Sequence, residues 1–113
     1  MNYKKTVGYA GEKIVTEHYR KQWYTILDEN YTIRGGEIDI IATNNKTIAF
    51  IEVKVINNID DLQSFITNKK IYYLEKTIQH YILTNRIDKD PRLDVAFVKN
   101  NQIVDIFTNI TGN

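Results

Sequence analysis

Cysteine is missing from the 113 residues, which excludes disulfides and thiolate metal sites and suits a reducing cytosol. A cytoplasmic location is therefore expected. Proline occurs once and glycine five times, too few for a collagen-like or low-complexity chain. Long apolar runs are also lacking, because Asp39, Glu52 and Lys54 interrupt the best candidates before the about 18 residues that a membrane helix needs. The basic start around Lys4 and Lys5 has no apolar segment behind it, so neither a signal peptide nor a membrane partner is expected. Charge of one sign is scarce as well: 15 basic against 14 acidic residues leave a net +1, and any phosphate-binding surface must be local.

What is present is a globular composition, 42% hydrophobic and 26% charged. Residues 1–108 read as one domain, with 109–113 as a frayed tail. Residues 6–23 have helical spacing through Ala10, Ile14, Tyr19 and Trp23, and Thr6 is placed to cap the first turn. Gly8 and Gly11 fall on one stripe with Glu12, Val15 and Tyr19, which would press Glu12 against a neighbouring layer. Strands are predicted over 24–31, 37–43, 47–55, 92–98 and 102–108, and a second helix over 67–83 with Ile71, Leu74, Ile78 and Ile82 inward. The order α-β-β-β-α-β-β gives an α/β (α+β) class, a mixed five-stranded sheet flanked by helices.

Two of these strands carry charge where a small domain needs apolar residues: Glu37 and Asp39 in one, Glu52 and Lys54 in the next. With an even hairpin loop at Asn44-Asn45, Asp39 opposes Phe50 and Glu37 opposes Glu52. Glu37, Asp39, Phe50, Glu52 and Lys54 then share one face, and Ile38, Ile40, Ala49, Ile51, Val53 and Val55 the other. Like charges opposed across a ladder are unfavourable, and a divalent cation would reverse that sign. Asp39 and Glu52 are thus candidate metal ligands. Lys54 is a candidate for positioning water or offsetting phosphate charge, and Glu12 a fourth group, suited to phosphodiester hydrolysis. The competing reading is an ordinary surface ion pair between Glu52 and Lys54. Glu37 is a supporting group or a partner of Arg34, and Asp94, flanked by Leu93 and Val95, a buried hydrogen-bonding residue or a catalytic one. Lys4, Lys5, Lys13, Arg20, Lys21, Arg34, Lys69 and Lys70 are candidates for a phosphate-tracking rim. Tyr72, Tyr73 and Tyr81 are expected to pack in the core or between copies.

Gly8-x-x-Gly11-Glu12, Arg34-Gly35-Gly36-Glu37-Ile38-Asp39-Ile40-Ile41-Ala42 and Phe50-Ile51-Glu52-Val53-Lys54, with Lys69 and Arg92-Leu93-Asp94-Val95, cover nearly the whole chain. In these motifs the chain resembles the bacterial YraN (UPF0102) family, related to archaeal Holliday junction resolvases within the PD-(D/E)XK nuclease superfamily. The resemblance implies a restriction-endonuclease-like fold and a DNA endonuclease using Mg2+ or Mn2+. It places the catalytic set at Glu12, Asp39, Glu52 and Lys54, and adds Glu12 and the Val53 backbone carbonyl to the metal ligands. Branched or distorted DNA is the implied substrate; of the rim residues above, Lys13, Arg34, Lys69 and Lys70 are the candidates to contact it, the alternative being an ordinary solvated face. Cutting two strands would require a homodimer. The family continues Val-Lys-x-Arg, whereas Ile56 follows Lys54-Val55 here, so one expected cation is missing. A non-catalytic nucleic-acid-binding module that keeps the fold is the alternative.

Overall fold

The computed structural model describes residues 3–112, with side chains from Gly8 onward. The side chains of Lys4, Lys5 and Thr6 lie outside the described residues. Helix α1 (Tyr3–Lys21) already runs through Thr6, three residues beyond its start, so Thr6 is not the first cap. The inward stripe of α1 is Gly11, Val15 and Tyr19, all buried. A Cβ at Gly11 would fall 2.9 Å from Val55 Cγ2, so the bare backbone there lets the helix sit close on the sheet. Gly8 has open space around it and plays no such part. Trp23, expected on the apolar face, is instead 88% exposed and left-handed (φ 69°). It closes the helix, with the Tyr24 N–H donating back to the Tyr19 carbonyl.

The sheet has the order β1 (Thr25–Ile33), β2 (Gly36–Thr43), β3 (Thr47–Val55), β4 (Asp90–Lys99) and β5 (Gln102–Phe107). Only β3 and β4 are parallel, so the sheet is mixed, as a restriction-endonuclease-like α+β fold requires. The crossover between them holds a short 3-10 turn (Leu62–Phe65), where a plain loop was expected, and helix α2 (Asn68–Asn85). The Thr67 hydroxyl caps α2 by accepting the Lys70 N–H. Both faces of the sheet are apolar. Ile40, Ala42, Ala49 and Ile51 pack with Val15 and Tyr19 of α1, while Ile41, Ile48, Phe50 and Leu93 pack with Leu74, Ile78 and Tyr81 of α2. Among the described residues no helix is long and apolar enough to cross a membrane.

Two sequence expectations change here. The β2–β3 register places Ile41 opposite Phe50 and Ile40 opposite Ile51, two residues from the predicted pairing. The Asn44 side chain is the cause: its Oδ1 accepts the Lys46 and Thr47 N–H groups, folding the loop on itself without left-handed asparagines. A slip of two keeps every side chain on its predicted face. Ile38 is the exception, since it packs with Ile41 on the α2 side while Ile40 faces α1. The predicted fray from Asn109 also differs. The Asn109 N–H donates to Asp94 Oδ1 at 3.0 Å, the Ile110 N–H donates to the Leu93 carbonyl at 2.9 Å, and Ile110 packs on the core.

Candidate functional site

The change of face within β2 falls at Asp39. In β1 the residue between the pairs Glu29↔Ile40 and Tyr31↔Ile38 is Asn30, left-handed at φ 55°. The β2–β3 ladder runs only as far as Ile40↔Ile51. Beyond it the strands part, and the Val53 N–H donates to Asp39 Oδ2 at 2.8 Å instead of to a β2 carbonyl. Asp39 therefore stands in a break in the sheet, open to residues from both layers.

Glu12 comes from α1 and Glu52 from β3, and the Asp39 carboxylate raises the carboxyl groups of both. Burial, then the Asp39 charge and hydrogen bond, and the more distant Glu29 and Glu37, push Glu12 up to about 7. Burial and Asp39 push Glu52 up to about 8, although Lys70 opposes the shift. Asp39 is thus the shared neighbour through which the carboxylates of α1 and β3 are both raised. Repulsion of this kind is relieved by protonation, and a divalent cation would relieve it in the same way. Among the described residues no three His, Asp or Glu side chains already close on a single point as a full metal cage would. Two carboxylates are nevertheless the usual protein share of a magnesium site completed by water and phosphate oxygens, and Asp39 with Glu52 fits that donor set.

The remaining predicted residues divide by place. Lys54 lines one crevice with Glu52 and Lys70, and its ammonium lies 5.2 Å from the centroid of the Phe65 ring. That crevice is about 10 Å³, room for one water at most. Val53 meets Asp39 through its N–H, which is the recorded contact of that peptide with the site. Glu37 is exposed, lines a cleft with Glu52, Lys70 and Tyr73, and adds to the negative field at Glu12. Arg34 lies exposed in the β1–β2 turn, where Gly35 takes φ 92°. Lys13 is exposed beside Glu12, in a cleft with Tyr9 and Glu29, and Lys69 is exposed at the start of α2. Asp94 is fully buried and lies away from these groups, held by Tyr19 and Arg92.

The contact that sequence reasoning missed is made by Lys70. Assigned there to the nucleic-acid rim, it is the ion-pair partner of Glu52 at 3.1 Å, with its side chain only 37% exposed. Its position carried the signal: Lys70 leads the inward stripe Leu74, Thr77, Ile78 and Tyr81 of α2, so it leans toward the sheet. Ile56, standing where a cation was expected, is buried with Val95 and Phe97.

The model of the family described as "Uncharacterised protein family UPF0102" matches residues 11–98, from the close-packed Gly11 to the end of β4. The chain is 36% identical over 96 residues to a UPF0102 protein of Campylobacter jejuni, covering 85% of this chain and 86% of that one. A UPF0102 protein of Alkaliphilus oremlandii is 38% identical over 100 residues, covering 84% and 86%. One of Flavobacterium psychrophilum is 35% identical over 94 residues, covering 81% and 79%.

Proposed function

The chain belongs to the UPF0102 (YraN) family, and from its site we propose a divalent-metal-dependent endonuclease that hydrolyses DNA phosphodiester bonds, with branched or distorted DNA as substrate. The observation that carries this reading is the convergence of Glu12 and Glu52 on Asp39 at the point where β2 and β3 part. Natural folds do not gather three carboxylates in a half-buried break for stability, since the arrangement opposes folding. Asp39 and Glu52 would hold Mg2+ or Mn2+, which when bound would polarise the scissile phosphate and acidify an attacking water. Asp39 is held in place by the Val53 N–H. Glu12, on the α1 side of Asp39, orients the water. Lys54 and Lys70 line the Glu52 crevice and offset charge developing on the phosphate oxygens.

The test incubates the protein with linear, single-stranded and four-way-junction DNA in magnesium, manganese or EDTA. Cleavage that needs the metal and disappears in Asp39→Asn and Glu52→Gln supports the reading. Metal-dependent cleavage that survives both substitutions overturns the site. A second reading, a DNA-binding module without catalysis, is favoured by one observation: buried Ile56 replaces the family's cation. Tight binding with no cleavage of any of these DNAs would select it.

A further inference from the structure

We propose that the outer stripe of α2, Lys69, Tyr72, Tyr73 and Lys76, is a stacking platform for unpaired bases, holding a single-stranded segment of nucleic acid beside the carboxylates. The proposal rests on the nuclease reading for the use of that strand, but binding at the platform needs no cleavage. The four residues follow i, i+3, i+4, i+7 spacing and so form one face. Leu74, Thr77, Ile78 and Tyr81 occupy the opposite, buried face of the helix. Tyr72 and Tyr73, expected in the core or between copies, are not in the core: they are 57% and 42% exposed. Their rings meet edge to face with centroids 5.3 Å apart, and Lys76 Nζ lies 5.2 Å from the Tyr72 centroid.

The chemistry of this stripe selects its occupant. Two adjacent exposed aromatic rings offer π-faces to any base, and a lysine at each end offers an ammonium to the phosphates on either side. Lys70, one residue inward, is already engaged by Glu52, whereas Lys69 and Lys76 form no ion pair among the described residues. The platform is continuous with the site. Tyr73 lines a cleft of about 180 Å³ with Glu37, Glu52, Lys70 and Leu74. A Cβ at Gly36 would fall 3.2 Å from the Tyr73 carbonyl oxygen, so α2 is seated directly on the strand that leads to Asp39. Bases inside an intact duplex are stacked on each other and cannot use such a surface, so the platform favours single strands and opened junction arms.

Fluorescence anisotropy in EDTA tests this with a labelled single strand, the corresponding blunt duplex and a four-way junction. Replacing both rings (Tyr72→Ala with Tyr73→Ala) is expected to weaken single-strand binding at least about fivefold and to leave duplex binding unchanged. The paired Tyr→Phe variant keeps the rings and should bind within about twofold of the original. Lys69→Gln with Lys76→Gln keeps both rings and should lower the slope of log affinity against log salt by about two, which decides the matter if the alanine pair misfolds. Unchanged single-strand affinity without the rings overturns the proposal. So does an equal loss on duplex, or a shift from dimer to monomer on sedimentation that would assign the stripe to a second copy. Ring-dependent binding without metal-dependent cleavage would sink the nuclease reading and leave the platform standing; cleavage with ring-independent binding would do the reverse.

Discussion

Asp94 and Asp39 are both acidic residues in strands, and their surroundings make them opposites. Asp94 is fully buried and receives the Tyr19 hydroxyl at 2.7 Å, Arg92 Nε at 2.9 Å, Arg92 Nη2 at 2.8 Å and the Asn109 N–H. Burial and the Asp94 carboxylate push the Tyr19 phenol further up, so Tyr19 stays protonated and donates. Asp94→Ala would strand the Tyr19 hydroxyl and the Arg92 charge together, and should destabilise the protein by about 3–5 kcal/mol in a urea titration. Asp39 instead faces the like-charged Glu12 and Glu52, with one N–H as its recorded donor. Asp39→Asn should leave the urea midpoint of the metal-free protein unchanged or raise it, while abolishing metal-dependent cleavage. A large loss of stability in Asp39→Asn would mean that Asp39 is a structural residue like Asp94.

At the scale of elements, the strands were legible because their apolar residues alternate between two buried faces, and β3 matches its predicted Thr47–Val55 bounds. The even hairpin loop was legible for the same reason: a slip of two conserves faces, so Ile40, Ile41, Phe50 and Ile51 keep theirs even though the Asn44 side chain sets a different register. The break at Asp39 was not legible, because the β2–β3 ladder ends at Ile40↔Ile51 while both strands run on, and no pattern within β2 encodes where pairing stops. Helix α2 was read by its apolar residues alone, which left Lys70 outside and Tyr72 and Tyr73 in the core or between copies, when neither ring is in the core. Asn109 and Ile110 were misread because polar, glycine-containing ends usually fray, and the partner that holds them is a buried carboxylate distant in sequence. Deleting residues 109–113 should therefore cost roughly 1–3 kcal/mol in the same titration, from the lost Ile110 burial and the Asp94 hydrogen bond. A truncated protein as stable as the full chain would show that these contacts are not held in solution.

For the whole molecule, the carboxylate cluster ties stability to pH and, on the proposed nuclease reading, would tie it to metal as well. Glu12 and Glu52 have ordinary values near 4.5 when unfolded and are raised to about 7 and about 8 in the fold. Between these limits the native chain binds more protons than the unfolded one, so stability must fall as pH rises. The favourable contribution is complete below about 4.5 and is lost on passing through 7 and 8. The metal-free protein should thus melt at a lower temperature at pH 8.5 than at pH 5.5, and the combined Glu12→Gln, Glu52→Gln variant should lose most of that difference. Magnesium or manganese replaces the missing protons only where the carboxylates are ionised. Either ion should therefore raise the melting temperature by several degrees at pH 8.5 and far less at pH 5.5, because ligand binding stabilises the native state only as far as it outcompetes protons. Scanning calorimetry at the two pH values, with metal and with EDTA, measures all four states. Equal stabilisation by metal at both pH values would place the bound ion somewhere other than these carboxylates. A melting temperature that rises with pH in EDTA would mean that Glu12 and Glu52 are ionised in the native state without a cation, and that Asp39 does not gather them.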